Sequence, residues 1–388
     1  MIVGGGPAGL MAADTVSAAG HDVLLIDRMP SLGRKFLMAG KSGLNLTMDQ
    51  PLSEFLKAYS YLPVQVHRAV SDFGPKKVQK FARDLGQEVF TGTSRRVFPK
   101  LMKASPLLRT WLLRLSEQNL RFMTRAQWYG YEDGRHRVAV DGIEQTITAR
   151  TVIFAMGGGS WSRLGSNGAW HIPFQNLGIE TMAFHPSNSG VRIDWSDYMR
   201  DQLGQPLKGV KFSAGGQHLA GEAVITARGL EGTAIYNATP ALRKGARLRL
   251  DLMPKKTAAD LTSLLSGISS KLSRSNKLRR IGLNDTARAL LSECAELSAD
   301  PAAIARQIKK LDIPITGLAP LDEAISTAGG LKTDNLDETL MHPKYPGWFF
   351  AGEMMNWDAP TGGYLLTACF ATGHLAGANA SAFLQSKR

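Results

Sequence analysis

The chain opens on a short apolar run, Met1-Ile2-Val3, that passes directly into Gly4-Gly5-Gly6-Pro7-Ala8-Gly9. Residues 10–19 are apolar or small at helical spacing and stop at Gly20, and residues 21–27 read as a second strand with the carboxylate of Asp27 at its tip. Strand, G-x-G-x-x-G, helix, strand, acid is the order of a dinucleotide-binding unit. A first strand of three residues is short, so the native element is expected to begin slightly upstream. Two more apolar runs have the pattern of buried parallel strands: Thr151-Val152-Ile153-Phe154-Ala155, which runs into Met156-Gly157-Gly158-Gly159, and Pro346-Gly347-Trp348-Phe349-Phe350-Ala351, which runs into Gly352-Glu353. Beyond the last, Pro360-Thr361-Gly362-Gly363-Tyr364 opens an apolar helix toward Ala376. Between these ends, residues 187–252 hold short strand-like runs such as 208–213 and 246–251. Residues 257–310 are helix-patterned and rich in Leu, Ala, Lys and Arg.

Each of these stretches predicts a piece of one ligand site. Gly4 permits the tight turn, Gly6 lets the backbone approach a pyrophosphate, and Gly9 lets the helix pack on the sheet. The helix that opens at Pro7-Ala8 offers N–H groups and a positive dipole end to phosphates. Asp27 is placed to accept from an adenosine ribose, with Arg28 near the adenine. The loop Gly33-Arg34-Lys35-Phe36-Leu37-Met38-Ala39-Gly40-Lys41-Ser42-Gly43-Leu44-Asn45-Leu46-Thr47 puts Arg34 and Lys35 before small residues, Gly40 and Ser42, and then Asn45. That order suits a pyrophosphate clamp running along an isoalloxazine ring; a polar surface loop is the alternative.

Ala155 and Gly157 end a strand that returns the chain to the dinucleotide. Glu353, at a strand's C-terminal end, is placed for a ribityl chain or a phosphate-side hydroxyl. A helix beginning at Thr361-Gly362-Gly363 points N–H groups at the flavin N1/O2 edge, which becomes negative on reduction. This favours FAD over NAD, against the alternative that the last strand and helix merely cap the fold. No second strand-GxGxxG-helix unit is present, so NAD(P)H is expected only as a transient electron donor.

Composition narrows the class. With 388 residues, 44% hydrophobic and 20% charged, 40 glycines and 8% aromatics, the chain suits a glycine-punctuated α/β enzyme and excludes a disordered tail or a coiled coil. No window of 18 apolar residues and no basic leader precede the first motif, so a soluble, cytoplasmic protein is expected. The two cysteines, Cys294 and Cys369, form neither a CxxC pair nor a zinc-like cluster, so no metal is expected.

The net charge of +13 is concentrated. Residues 76–125 hold 12 basic and 3 acidic side chains and residues 243–280 hold 11 and 2, leaving the rest of the chain mildly acidic. Such segments favour a polyanionic partner, RNA or the ribosome, with Trp111 and Phe122 as stacking candidates; solvated helix faces are the alternative.

Five segments together resemble the HI0933-like family of NAD(P)/FAD-dependent oxidoreductases: GGGPAGLMAA at the start, GRKFLMAGKSGLNLT, RRVFPKLMKAS, AMGGGSWSRLGSNG and FFAGEMMNWDAPTGGYLLTACFATGHLAG. The resemblance implies an α/β chain with a discontinuous Rossmann-like FAD-binding domain, residues 1–186 and 324–388. It is interrupted by a β-rich domain, 187–255 and 311–323, and a small helical insertion, 256–310. Family cofactor contacts carry over onto Gly4, Gly6, Ala8, Gly9, Asp27, Arg28, Lys35, Ser42, Asn45, Gly157, Gly352, Glu353, Gly363 and Tyr364. Many relatives have a cysteine where this chain has Leu44, so no cysteine-based proton transfer carries over.

The resemblance further implies reduction of an activated C=C bond, with steroid-like enones and RNA uracil rings as acceptors. Tyr364, His185, His374 and Cys369 are the polar groups available as proton donor, each with a structural alternative. Three functions remain open: a reductase of an RNA-borne unsaturated substrate, a reductase of a small enone-like metabolite, and a non-catalytic flavin-binding redox sensor.

Overall fold

The computed structural model describes residues 1–118, 120–296 and 298–386. The chain divides into two compact units, Met1–His185 with the segment from Ile325 onward, and Pro186–Ala324.

The first unit is built on five parallel strands: β1 (Ile2–Val3), β2 (Leu24–Ile26), β3 (Arg121–Met123), β4 (Val152–Phe154) and β5 (Trp348–Phe350), in the order β5-β4-β1-β2-β3. A parallel strand covered on both faces needs apolar side chains on both, which is why β4 and β5 carry no polar position and are buried throughout. Phe154 stacks on Phe350 at 5.4 Å and meets Trp128 and Phe174 edge-on at 5.0 Å each. Trp128 belongs to an antiparallel meander, Ala126–Glu132, Arg135–Val140 and Ile143–Ile147, that fills the crossover from β3 to β4.

Four helices position the site: α1 (Pro7–Ala18), α2 (Arg34–Ala39), α3 (Ala104–Glu117) and α4 (Tyr364–Ser386). α1 and α4 are apolar on nearly every side and lie buried against each other, as such helices must. Small residues make the approach close: a Cβ added at Gly373 would fall 2.2 Å from Ala8 O, and one at Gly377 2.8 Å from Thr15 Cβ. The two ends of the chain are therefore packed backbone to backbone. The helix expected from Thr361 begins at Tyr364 instead, because Gly362 and Gly363, at φ of 119° and 89°, form a turn that a right-handed helix cannot contain.

The second unit holds two four-stranded antiparallel sheets. One runs Val224–Thr226, Gly229–Glu231, Val191–Arg192, Gly317–Leu318; the other runs Gln217–Leu219, Lys211–Ala214, Leu248–Asp251, Leu311–Asp312. Helices Ala258–Ser266, Arg274–Arg280, Asp285–Cys294 and Pro301–Lys309 bury Leu261, Leu290 and Ile308 in the same core as Leu248 and Leu250 of the strands. Helices this short are marginal alone, and each starts on a side-chain cap, at Thr257, Ser273, Asn284 and Asp300. Among the described residues, no helix is long and apolar enough to cross a membrane.

Candidate functional site

The C-terminal ends of β1, β4 and β5 converge in the first unit, where ligands of open α/β sheets bind. The glycines of the opening turn hold that convergence together. A Cβ at Gly4 would strike Ala155 O at 2.3 Å, one at Gly9 would strike Gly4 O at 1.8 Å, and one at Gly352 would strike Ala8 Cβ at 2.7 Å. At Gly6, the N-cap of α1, an added Cβ meets no atom within 4 Å, so the space in front of the helix is open. Pro7, at the first helical position, needs no N–H partner there.

Asp27 binds the turn itself. Its Oδ2 accepts from Gly5 N at 2.6 Å and its Oδ1 from Met29 N at 2.7 Å, while burial pushes its carboxyl above the ordinary value. Each oxygen retains a lone pair for a further donor. Arg28 is exposed beside it. Gly33 N donates to Gly5 O at 2.9 Å, which ties the start of α2, and with it Arg34 and Lys35, to the same turn. Gly40, at the end of α2, packs on Ala104 of α3, and Ser42 is exposed.

Lys35 and Glu353 form a buried knot. Lys35 Nζ lies 2.7 Å from Glu353 Oε2, 3.2 Å from Ser160 Oγ and 3.3 Å from Ser166 Oγ. Glu353 Oε1 accepts from Thr327 N at 2.9 Å, and Thr327 Oγ1 accepts from Gly159 N and Ser160 N. Gly157, at φ of 71°, faces Ser166 across this knot. Ser160, Ser166 and Thr327 complete this network, and sequence reasoning did not name them. The first two lie inside the AMGGGSWSRLGSNG segment, residues 155–168, and Thr327 has no sequence signal.

The loop after α2 reaches the other end of the chain. Thr47 lies so close to Gly363 that a Cβ there would fall 2.5 Å from its Cα, and Met48 approaches Gly362. Tyr364 follows; its hydroxyl accepts from Gln50 Nε2 at 3.1 Å, and its ring packs on Phe55 at 4.5 Å.

Whether this cradle suits FAD is tested by its unfinished polar groups. Arg34 Nε, Asn45 Oδ1 and Thr361 Oγ1 are buried without a hydrogen-bond partner. Eleven buried side-chain polar atoms lack a partner among the described residues, and these three fall on the segments already argued to form the cradle, where a polar ligand would complete them. Arg34 suits diphosphate oxygens, and Asn45 and Thr361, flanking the Thr47–Gly363 contact, suit the N–H and carbonyl edge of a flavin ring. The residues fit the cofactor.

Other expected groups lie elsewhere. His374 is inside the helix packing, with Nδ1 3.1 Å from Thr15 Oγ1 and its ring against Phe73, and burial lowers its pKa. Cys369 is buried beside Gly352, and burial pushes its thiol up to about 12. His185 is exposed at the end of the first segment of its unit. Trp111 is not available for stacking: it is fully buried, donates to Asp14 Oδ2 at 3.0 Å, and meets Phe81 edge-on. Ala104, Leu107, Leu108, Trp111 and Leu115 form the inward face of α3; Arg109 is exposed, while Arg114 pairs with the same Asp14 and lies over the Phe81 ring. Phe122 remains exposed.

A family model described as HI0933-like protein Rossmann domain matches residues 1–379. Among characterised proteins, the 3-dehydro-bile acid delta(4,6)-reductase of Clostridium scindens is 24% identical over 410 residues, covering 97% of both chains. The ribosomal RNA dihydrouridine synthase of Escherichia coli is 22% identical over 386 residues, covering 94% of this chain and 93% of that protein. Among solved structures, 3-ketosteroid delta1-dehydrogenase from Sterolibacterium denitrificans superposes with a TM-score of 0.53 at 14% identity over 98% of each chain. A variant of E. coli quinol fumarate reductase gives 0.54 at 14% identity, over 100% of this chain and 70% of that one. These two share the fold.

Proposed function

The chain belongs to the HI0933-like flavoprotein family, and from that premise we propose that it is an FAD-dependent reductase of a C=C bond conjugated to a carbonyl, its acceptor carried on RNA. The observation that carries the flavin reading is the set of unpartnered atoms Arg34 Nε, on the helix tied to the opening turn, and Asn45 Oδ1 and Thr361 Oγ1, flanking the Thr47–Gly363 contact, together with the open space in front of Gly6. Two relatives of this chain over nearly its whole length, a delta(4,6)-reductase and a dihydrouridine synthase, support the reaction class. The concentrated positive charge supports the RNA-borne acceptor over the small one.

FAD, when bound, would supply the hydride, with NAD(P)H as its proposed transient donor. The protein's part is orientation and the proton. The α1 N-terminus and Arg34 would hold the diphosphate, and Asp27 orders the turn that presents those N–H groups. The backbone at Gly362-Gly363 would face the ring edge where negative charge develops on reduction. Tyr364 lies next in sequence and is the candidate proton donor: its hydroxyl accepts from Gln50, which leaves its own proton free to give. Lys35 and Glu353 tie α2, which carries Arg34, to the segment that follows β5.

A second reading, the same chemistry on a small enone, is supported by the Clostridium scindens relative. An anaerobic experiment separates the two: the bound flavin is photoreduced and mixed with RNA from a strain lacking this gene, or with a panel of enones. Fast reoxidation by that RNA and not by wild-type RNA is the expected result. Reoxidation by enones alone sinks the RNA reading.

A further inference from the structure

The RNA reading asks where a strand would be gripped, and the stacking residue first expected, Trp111, is buried. The exposed aromatic is elsewhere. Strands Val89–Thr91 and Arg96–Pro99 form an antiparallel hairpin in which Phe90 pairs with Phe98; the two rings stack at 5.8 Å and 30°. Phe90 is 40% exposed, so one ring face is backed by protein and the residue is open to solvent. Strand Arg96–Pro99 also pairs with Thr47–Met48, and Thr47 abuts Gly363. The hairpin is thus one strand away from the turn assigned to the flavin edge.

The charge around it is net positive, although Asp49 accepts from Thr91 of the hairpin at 3.2 Å. The sequence has no acid from residue 28 to 48 and none from 89 to 116, and the second stretch holds Arg95, Arg96, Lys100, Lys103, Arg109 and Arg114. The structure joins the two stretches: Leu44 N donates to Met102 O at 2.9 Å, Leu46 N to Val97 O at 2.9 Å, and Asp49 N to Arg95 O at 2.7 Å. Some of the charge is answered, Lys100 by Glu88, Arg114 by Asp14, and Arg95 weakly by Glu54 at 3.6 Å. Among the described residues, Lys41 and Lys103 are exposed and in no ion pair.

We propose that this hairpin is the docking platform for a single RNA strand, with Phe90 as its stacking face and Arg95 and Lys103 among its phosphate contacts. The proposal rests on the RNA reading above and adds the surface that would deliver a base to the flavin turn. Backed aromatic rings beside exposed cations are the combination that single strands use, because every base has a π-face and every linkage a charge. The exposed tip Leu101 and Met102 would serve an anionic membrane instead, but such a surface has no use for a ring held flat against Phe98.

The test is fluorescence anisotropy of a labelled single-stranded oligouridylate with the holoenzyme across a salt series, beside sedimentation with phosphatidylglycerol vesicles. Losing one stacked base weakens binding by roughly 5- to 150-fold, and F90A is expected near the lower bound with F90Y restoring affinity. R95Q/K103Q is expected to make the log–log salt slope shallower by about 1.4, at about 0.7 per lost contact. Retained flavin absorbance shows that each variant is folded. Wild-type affinity and slope in both F90A and R95Q/K103Q would overturn the platform, and so would vesicle binding without oligouridylate binding. If wild-type photoreduced flavin is reoxidised by RNA and the variants match it in rate and binding, the platform alone is wrong. Reoxidation by enones and never by RNA removes the RNA reading and the platform together.

Discussion

Lys35 Nζ and Glu353 Oε2 lie 2.7 Å apart although 318 residues separate them in the chain. Glu353 is 7% exposed and Lys35 25%, so the pair is largely withdrawn from water. Removing one partner of such a pair leaves an uncompensated buried charge, a loss of about 3–5 kcal/mol, whereas replacing both costs far less. K35M is therefore expected to destabilise the protein strongly, and K35M/E353Q to recover much of that loss. Urea unfolding of the four proteins in the cycle measures the coupling; additive losses would mean that the two charges do not support each other.

Gly6→Asp places a carboxylate in the open space before α1, where a diphosphate is expected. The variant should fold with an unchanged far-UV circular dichroism spectrum and elute without flavin. Normal yellow protein would remove the assignment of this turn.

The three orphaned polar atoms predict effects of opposite sign on the empty and loaded protein. An unpartnered buried polar group costs about 1–3 kcal/mol, so Asn45→Leu and Thr361→Val should leave the apoprotein as stable as before or raise its stability. In the holoprotein each would remove a hydrogen bond worth about 1 kcal/mol, roughly fivefold in FAD affinity. Differential scanning of both forms with flavin titration gives the two signs. Loss of apoprotein stability would show that these atoms serve the fold.

Much of this site was legible because its logic is local. Glycine spacing, strand tips and the acid after β2 each state their requirement within a few residues, and the close approaches at Gly4, Gly9 and Gly352 are what that spacing demands. The knot of Lys35, Ser160, Ser166, Thr327 and Glu353 was only partly legible. Small polar residues carry no periodicity, and their meaning arises only when the fold returns Thr327 beside Gly159. Trp111 is a different case, since its neighbours Ala104, Leu107, Leu108 and Leu115 repeat at three and four residues and state that it faces inward. Charge counted along the chain, blind to helical phase, assigns it to the surface.

His136 gives the fold a predictable acid limb. Its ring sits between Tyr131 and Trp348, Nδ1 accepts from Trp128 Nε1 at 3.3 Å, and burial lowers its pKa from 6.5 to about 4. The folded protein holds the neutral ring while the unfolded chain takes a proton below about pH 6.5. The contribution is therefore complete above that pH and is lost as pH falls toward 4, by at most about 3 kcal/mol. Urea midpoints at pH 7 and pH 4.5 should differ less in His136→Gln than in the wild type. Equal differences would mean that the ring titrates normally.

Tyr364 carries the chemical prediction. Burial raises its phenol above the ordinary value of 10, so the proton is retained throughout the neutral range, and Gln50 donates to the oxygen without claiming that proton. Tyr364→Phe keeps the ring packing on Phe55 and should keep the flavin and its reduction by NAD(P)H unchanged. What it removes is the acid for the carbon that does not receive hydride, and loss of a positioned acid slows such a step by about 100-fold or more. Stopped-flow measurement of the two half-reactions separates the effects: reduction is expected to be normal, and reoxidation by the unsaturated acceptor slow. If both half-reactions run at wild-type rates, the proton comes from solvent and Tyr364 only walls the site.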